Sequence, residues 1–127
     1  MRKLFNLSNP QKNIWNIDLF YGKTAANNIC GTTVINQKID FEKLNKAINL
    51  FLKSNDNFRI HFILDKNGNP KQFVSKYEEK AFHITEINDK KDLEELEKKL
   101  VNKAFDLIDN DLYRIEMFRF NKVSFNI

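Results

Sequence analysis

Few side chains in these 127 residues could move a proton or attack an electrophile: His61, His83, the single cysteine Cys30, and scattered carboxylates. Both histidines fall in strand-like stretches, where an imidazole is expected to be a surface group or a satisfied core group. Cys30 lies in an apolar run and reads as a small hydrophobe. One Cys excludes an intramolecular disulfide framework, and with two His it makes no zinc cluster of ordinary spacing. Glu94, Glu95 and Glu97 belong to the solvated face of a helix. Asp106, Asp109 and Asp111 cluster after that helix, where Asp serves turns, and a hard cation needs more oxygen ligands than this segment offers. The chain has no Gly-rich phosphate loop, no H-E-x-x-H and no G-x-S-x-G. From residue types and spacing alone, no active site assembles.

The elements that must position these groups are better signalled. Ser8-Asn9-Pro10-Gln11 has the form of a capping box with Pro inside the first turn, so a helix is expected from Ser8 to Phe20, ended by Gly22. Asn28 to Ile35 is β-branched and reads as a strand. A second helix runs from Phe41 to about Lys53 with Asp40 as cap and Phe41, Leu44, Ala47, Ile48 and Phe51 on its apolar face. Phe58 to Leu64 alternates as a strand, Asp65 to Pro70 turns, and Gln72-Phe73-Val74 returns as a hairpin. Ala81 to Ile87 is a further strand, and Asp92 with Glu95 opens a third helix. Leu112 to Phe120 and Val123 to Ile127 close the order α-β-α-β-β-β-α-β-β, an α+β fold with a mixed, mostly antiparallel sheet and helices packed on it. Trp15, Phe41, Leu44, Ile48, Phe51, Phe62, Phe105 and Phe118 are the expected core.

A length of 127 residues is one domain's worth, and twelve Phe exclude a disordered chain. The formal charge of +4 is spread over Lys and accompanied by eighteen Asn, a coding bias more than a basic patch, so no nucleic acid is expected as partner. The N-terminus lacks the apolar stretch of a signal peptide, and no run is long enough to span a membrane, which makes a cytoplasmic protein the expectation. The sequence stops inside an apparent strand, the mark of a piece of something longer whose apolar edge should self-associate.

Four segments, in order, resemble the opening part of a nonribosomal peptide synthetase condensation domain. Leu7 to Trp15 looks like that family's S-x-A-Q-x-R-x-W, with Ser8, Gln11 and Trp15 matching and Pro10 replacing alanine. Asn28 to Gly31 and Ile39 to Ile48 are similar to the following strand and helix. Ser54 to Phe62 stands in the place of R-H-E-x-L-R-T-x-F: Arg59 and Phe62 match, Asp56 and Phe58 are conservative, and Ser54, Asn55 and Ile60 depart. Phe105-Asp106-Leu107 with Leu112 and Arg114 looks like F-D-L-x(4)-P-L-x-R, with Asp111 where proline is common.

The resemblance covers residues 1–127 and implies a partial N-terminal lobe of the chloramphenicol-acetyltransferase-like fold. The family's catalytic motif, H-H-x-x-x-D-G, follows the strand that begins here at Val123, so the resemblance implies a segment that is inactive by itself and holds no catalytic residue. The intact domain joins acyl chains carried as thioesters on the phosphopantetheine of carrier (thiolation) domains, beside an adenylation domain, with no metal or cofactor bound directly. A related O-acyltransferase, an epimerisation-type domain or a non-catalytic carrier-docking module shares these early motifs. Arg59 alone reads as a surface residue; the resemblance implies an anchor for the motif's aspartate. Without that aspartate, its guanidinium is expected to be partly exposed or paired with a local acid.

Overall fold

Ser8 starts the first helix by the reciprocal cap its sequence announces. Its Oγ accepts from the Gln11 amide, and the Gln11 side chain accepts from the Ser8 amide. The computed structural model describes residues 1–121. It runs β1 (Phe5–Asn6), α1 (Asn9–Tyr21), α2 (Phe41–Ser54), a 3-10 turn (Asp56–Arg59), β2 (Ile60–Leu64), β3 (Pro70–Val74), β4 (Ile84–Ile87), α3 (Lys90–Val101) and β5 (Met117–Phe120). Helix α1 ends at Gly22, whose φ of 66° suits a residue without a Cβ. Asp40 caps α2 by accepting from the Glu42 and Lys43 amides.

The strands form two small sheets. One is antiparallel with order β1-β3-β2; the other joins β4 and β5 in parallel. The architecture is therefore α+β with a mixed, mostly antiparallel arrangement. The β2–β3 hairpin is fixed at its turn by Asp65, which accepts from the Asn67 and Asn69 amides, and by Gly68 at a φ of 80°. Period-two alternation puts Phe62 and its cross-strand partner Gln72 on one face, and His61 and Phe73 on the other. Helix α1 covers the first face. Trp15 meets Phe62 edge-on at 6.2 Å, and both join Leu7 in a buried cluster supported by Ile60, Leu107 and Leu112.

Several boundaries and one face differ from the sequence pattern. Residues 28–35 are not a strand: they are exposed or half-buried and make no ladder among the described residues, since β-propensity is expressed only where a partner edge is present. Side chains tie this segment to α3 instead, with Asn28 donating to the Val101 and Lys103 carbonyls and Thr32 to Glu97. Phe58 and Arg59 belong to the 3-10 turn, so β2 begins at Ile60. The strand expected from Ala81 begins at Ile84, and the one expected from Leu112 begins at Met117. Asp89 rather than Asp92 caps α3, accepting from the Asp92 amide, while Asp92 accepts from the Asn88 amide ahead of the cap, so the expected box of Asp92 with Glu95 does not form. Helix α2 turns Asn49 and Leu52 inward, leaving Phe51 exposed and Phe41, Leu44 and Ile48 half-buried. Phe105 and Phe118 are also half-buried, so the tight core is smaller than expected. The strand expected over Val123 to Ile127 lies outside the described residues.

Candidate functional site

The capping box does more than start a helix. Gln11 and Gln72 exchange amide contacts, Nε2 of Gln11 to Oε1 of Gln72 at 2.7 Å and the reverse at 3.0 Å. Gln72 also donates to the Asn6 carbonyl at 2.8 Å. One polar joint thus fastens β1, α1 and β3, beside the apolar joint of Trp15 on Phe62. Four expected motif residues (Ser8, Gln11, Trp15 and Phe62) meet here.

Arg59 occupies a closed environment, its side chain 17% exposed. Its Nε donates to the Ser75 carbonyl at 3.2 Å, Nη1 to the Leu52 carbonyl at 3.1 Å and to that of Lys53, and Nη2 to Asp56 at 2.5 Å. The guanidinium thereby satisfies carbonyls at the C-terminal end of α2, where a helix leaves acceptors without partners and its dipole favours a cation. The expected local acid is Asp56. Four of the five N–H groups that a guanidinium offers are engaged among the described residues.

A second arginine repeats the device after α3. Arg114 donates to the Lys103 carbonyl at 2.6 Å and the Ala104 carbonyl at 2.8 Å, and its guanidinium lies 3.8 Å from the centre of the Phe105 ring. Asp106, next in line, pairs with Lys23 at 2.8 Å and accepts from the Ile108 amide. The hydrogen bond from Lys23, then that amide, hold its carboxyl below the usual carboxylate range.

Four titratable groups converge at β2. His61 Nδ1 lies 3.2 Å from Asp109 and Nε2 lies 3.0 Å from Asp111, whose other oxygen takes Lys80 at 2.8 Å. Burial resists ionisation of Asp111, but hydrogen bonds from Lys80 and His61 outweigh it and hold the carboxyl below its ordinary range. The bond to Asp111 raises Lys80 in turn, against a smaller opposing effect of burial. Burial, reinforced by Asp111, pushes the nearby Tyr113 hydroxyl up. His83 and Cys30 are exposed and stand apart from this group. Among the described residues no cluster of His, Cys, Asp and Glu could hold a metal ion. The cleft lined by Asn57, Phe58, Leu112 and Tyr113 brings no nucleophile–base pair together.

Sequence reasoning missed Asn49, 4% exposed inside α2. Its Nδ2 donates to the Lys80 carbonyl at 2.8 Å, while Oδ1 accepts from the Lys80 amide at 2.8 Å and from the Tyr77 hydroxyl at 3.0 Å. Two Asn at positions 45 and 49, one helical turn apart in residues poorly suited to helix interiors, were the available signal. Lys80 was missed because nothing local distinguishes it from the other lysines.

Side-chain joints between segments distant in sequence tie this α+β frame together. Residues 1–126 match the condensation-domain family, and the chain belongs to it. Over 120 residues it is 29% identical to surfactin synthase subunit 1 of Bacillus subtilis (strain 168), an alignment covering 90% of this chain and 3% of that protein. Its fold is similar to that of the condensation domain from the monacolin K polyketide synthase MokA, with a TM-score of 0.70 and 22% identity. That match covers 94% of this chain and 28% of the other. The chain thus corresponds to a small part of each relative, and no helix among the described residues is long and apolar enough to cross a membrane.

Proposed function

We propose that these residues are the opening part of a nonribosomal peptide synthetase condensation domain. In the whole protein that domain forms an amide between acyl and aminoacyl thioesters carried on phosphopantetheine arms. The observation that carries this reading is the family match over residues 1–126, joined to the structural use of its motif positions. The thioester is already activated, so the reaction calls for positioning and proton management, without a metal or nucleotide. His61 and His83 stand apart in sequence and neither belongs to an H-H pair, so the proton-transfer histidine is assigned to the H-H-x-x-x-D-G motif of the whole domain. Carrier domains and an adjacent adenylation domain in the cytoplasm are the partners of this reading.

Within it, the anchoring of the motif's aspartate by Arg59 would fall to the Nη2 hydrogen that Asp56 does not take. Self-association of the isolated residues 1–127 is part of the proposal too. Leu19, Phe20 and Tyr21 together with Ile29, Val34 and Ile35 leave large apolar side chains exposed. Sedimentation over a concentration series checks it, a constant monomer mass being the contrary result. The function is tested by giving the intact domain two loaded carrier domains and analysing the released product by mass spectrometry. An amide supports the reading; an ester, an epimerised donor or no product from fully loaded carriers overturns it.

A further inference from the structure

His61 faces a carboxylate at each ring nitrogen, Asp109 at Nδ1 and Asp111 at Nε2. A neutral imidazole has one N–H and one bare lone pair, so between two carboxylates it donates to one and opposes the other. Only the imidazolium donates to both. The two aspartates differ in their other holds: Asp111 keeps Lys80 on its second oxygen and has Tyr113 nearby, whereas Asp109 is the more exposed, its side chain at 53%. From the remaining side the Phe73 ring stands 5.5 Å from His61, with the Arg2 guanidinium 4.4 Å from the centre of Phe73. Lys71, two residues from Phe73 along β3, shares this face and donates to the Asn6 side chain.

Both aspartates belong to the short segment that docks on β2. The Asp109 amide donates to the Phe62 carbonyl at 2.7 Å, and Ile108 forms a parallel bridge with Phe62. Asp109 holds a φ of 49°, a left-handed conformation that Asp adopts at some cost and keeps only where its surroundings hold it. We propose that His61 is a protonation-dependent latch: as imidazolium it fastens residues 108–111 to β2 through both aspartates, and as neutral imidazole it releases Asp109. The neutral ring keeps its proton on Nε2 for the Lys80-held Asp111 and turns the Nδ1 lone pair on Asp109, which swings into solvent. The backbone link to Phe62, whose ring packs on Trp15, then opens more often. The latch is independent of the reaction the whole domain performs.

Amide hydrogen exchange of the full chain at Asp109 tests it, with the His61 protonation state followed by ring nitrogen shifts. After correction for the intrinsic pH dependence of exchange, protection of that amide is expected to fall roughly tenfold as the ring loses its proton, the worth of a hydrogen bond to a charged group. In Asp109→Asn the amide side chain can accept from the imidazolium or donate to the bare nitrogen, and Asn suits a positive φ. Its protection is therefore expected to be equal on both sides of the titration. Equal protection across the titration in the unsubstituted chain overturns the proposal, and so does a tenfold step that persists in Asp109→Asn. If Asp109→Asn does not fold, the unsubstituted chain decides alone.

Discussion

Arg59 is placed to act as a joint, because its fork holds two carbonyls of α2, the Ser75 carbonyl and Asp56 at once. A lysine ammonium is a single point at the end of a flexible stem and cannot meet four acceptors so spread. Arg59→Lys is therefore expected to lower unfolding stability by about 2–3 kcal/mol, read by urea denaturation; a change below 0.5 kcal/mol would contradict the joint. The Lys80–Asp111 pair predicts a pH dependence with a definite sign. Asp111 lies below its ordinary value of 3.8 in the folded chain, so its contribution is present above that pH and is lost as pH falls through the lower folded value. Lys80 lies above 10.5, so its contribution is present below that pH and is lost as pH rises beyond it. Both side chains are more than a third exposed, and solvent screening limits the pair to roughly 0.5–1 kcal/mol. Asp111→Asn should remove that much at pH 7 and progressively less as pH falls below 3.8, as measured by denaturation at each pH.

At the scale of elements, Asn49 carries the connection between α2 and residues 77–80. Asn49→Leu leaves the Tyr77 hydroxyl and both backbone groups of Lys80 without their partner, and should cost roughly 1–3 kcal/mol despite adding apolar surface. Thermal unfolding checks this, and a stabilised variant would show that water replaces the amide without loss. Trp15→Ala empties the contact of α1 on Phe62 and should cost about 3–5 kcal/mol. Most of this frame was legible in the sequence, because caps and turns are local chemistry: Ser8 with Gln11, Asp40, and Asp65 through Gly68 act where their spacing places them. Residues 28–35 misled because strand propensity says nothing about where the partner edge is. The turned face of α2 escaped for a related reason, since a hydrophobic count discards the asparagine that the interior of this fold accepts by bonding it four ways.

Across the whole molecule guanidinium groups serve as fasteners of backbone carbonyls, one at the end of α2 and another in the loop that follows α3. The pairings between distant residues were not legible, because Gln11 meets Gln72 and His61 meets Asp111 only after folding has brought distant segments together. Gln11 and the matched residues around it are proposed to hold the scaffold and not to react themselves. The most direct measurement is the rate of amide formation by the intact domain carrying Gln11→Ala, with carrier-bound donor and acceptor, at a temperature where the variant is fully folded by circular dichroism. A rate per folded molecule within about threefold of the unsubstituted domain, well under the tenfold that 1.4 kcal/mol of barrier represents, is the predicted result. A fully folded variant that has lost a hundredfold or more in rate would contradict it and place Gln11 in the catalytic machinery.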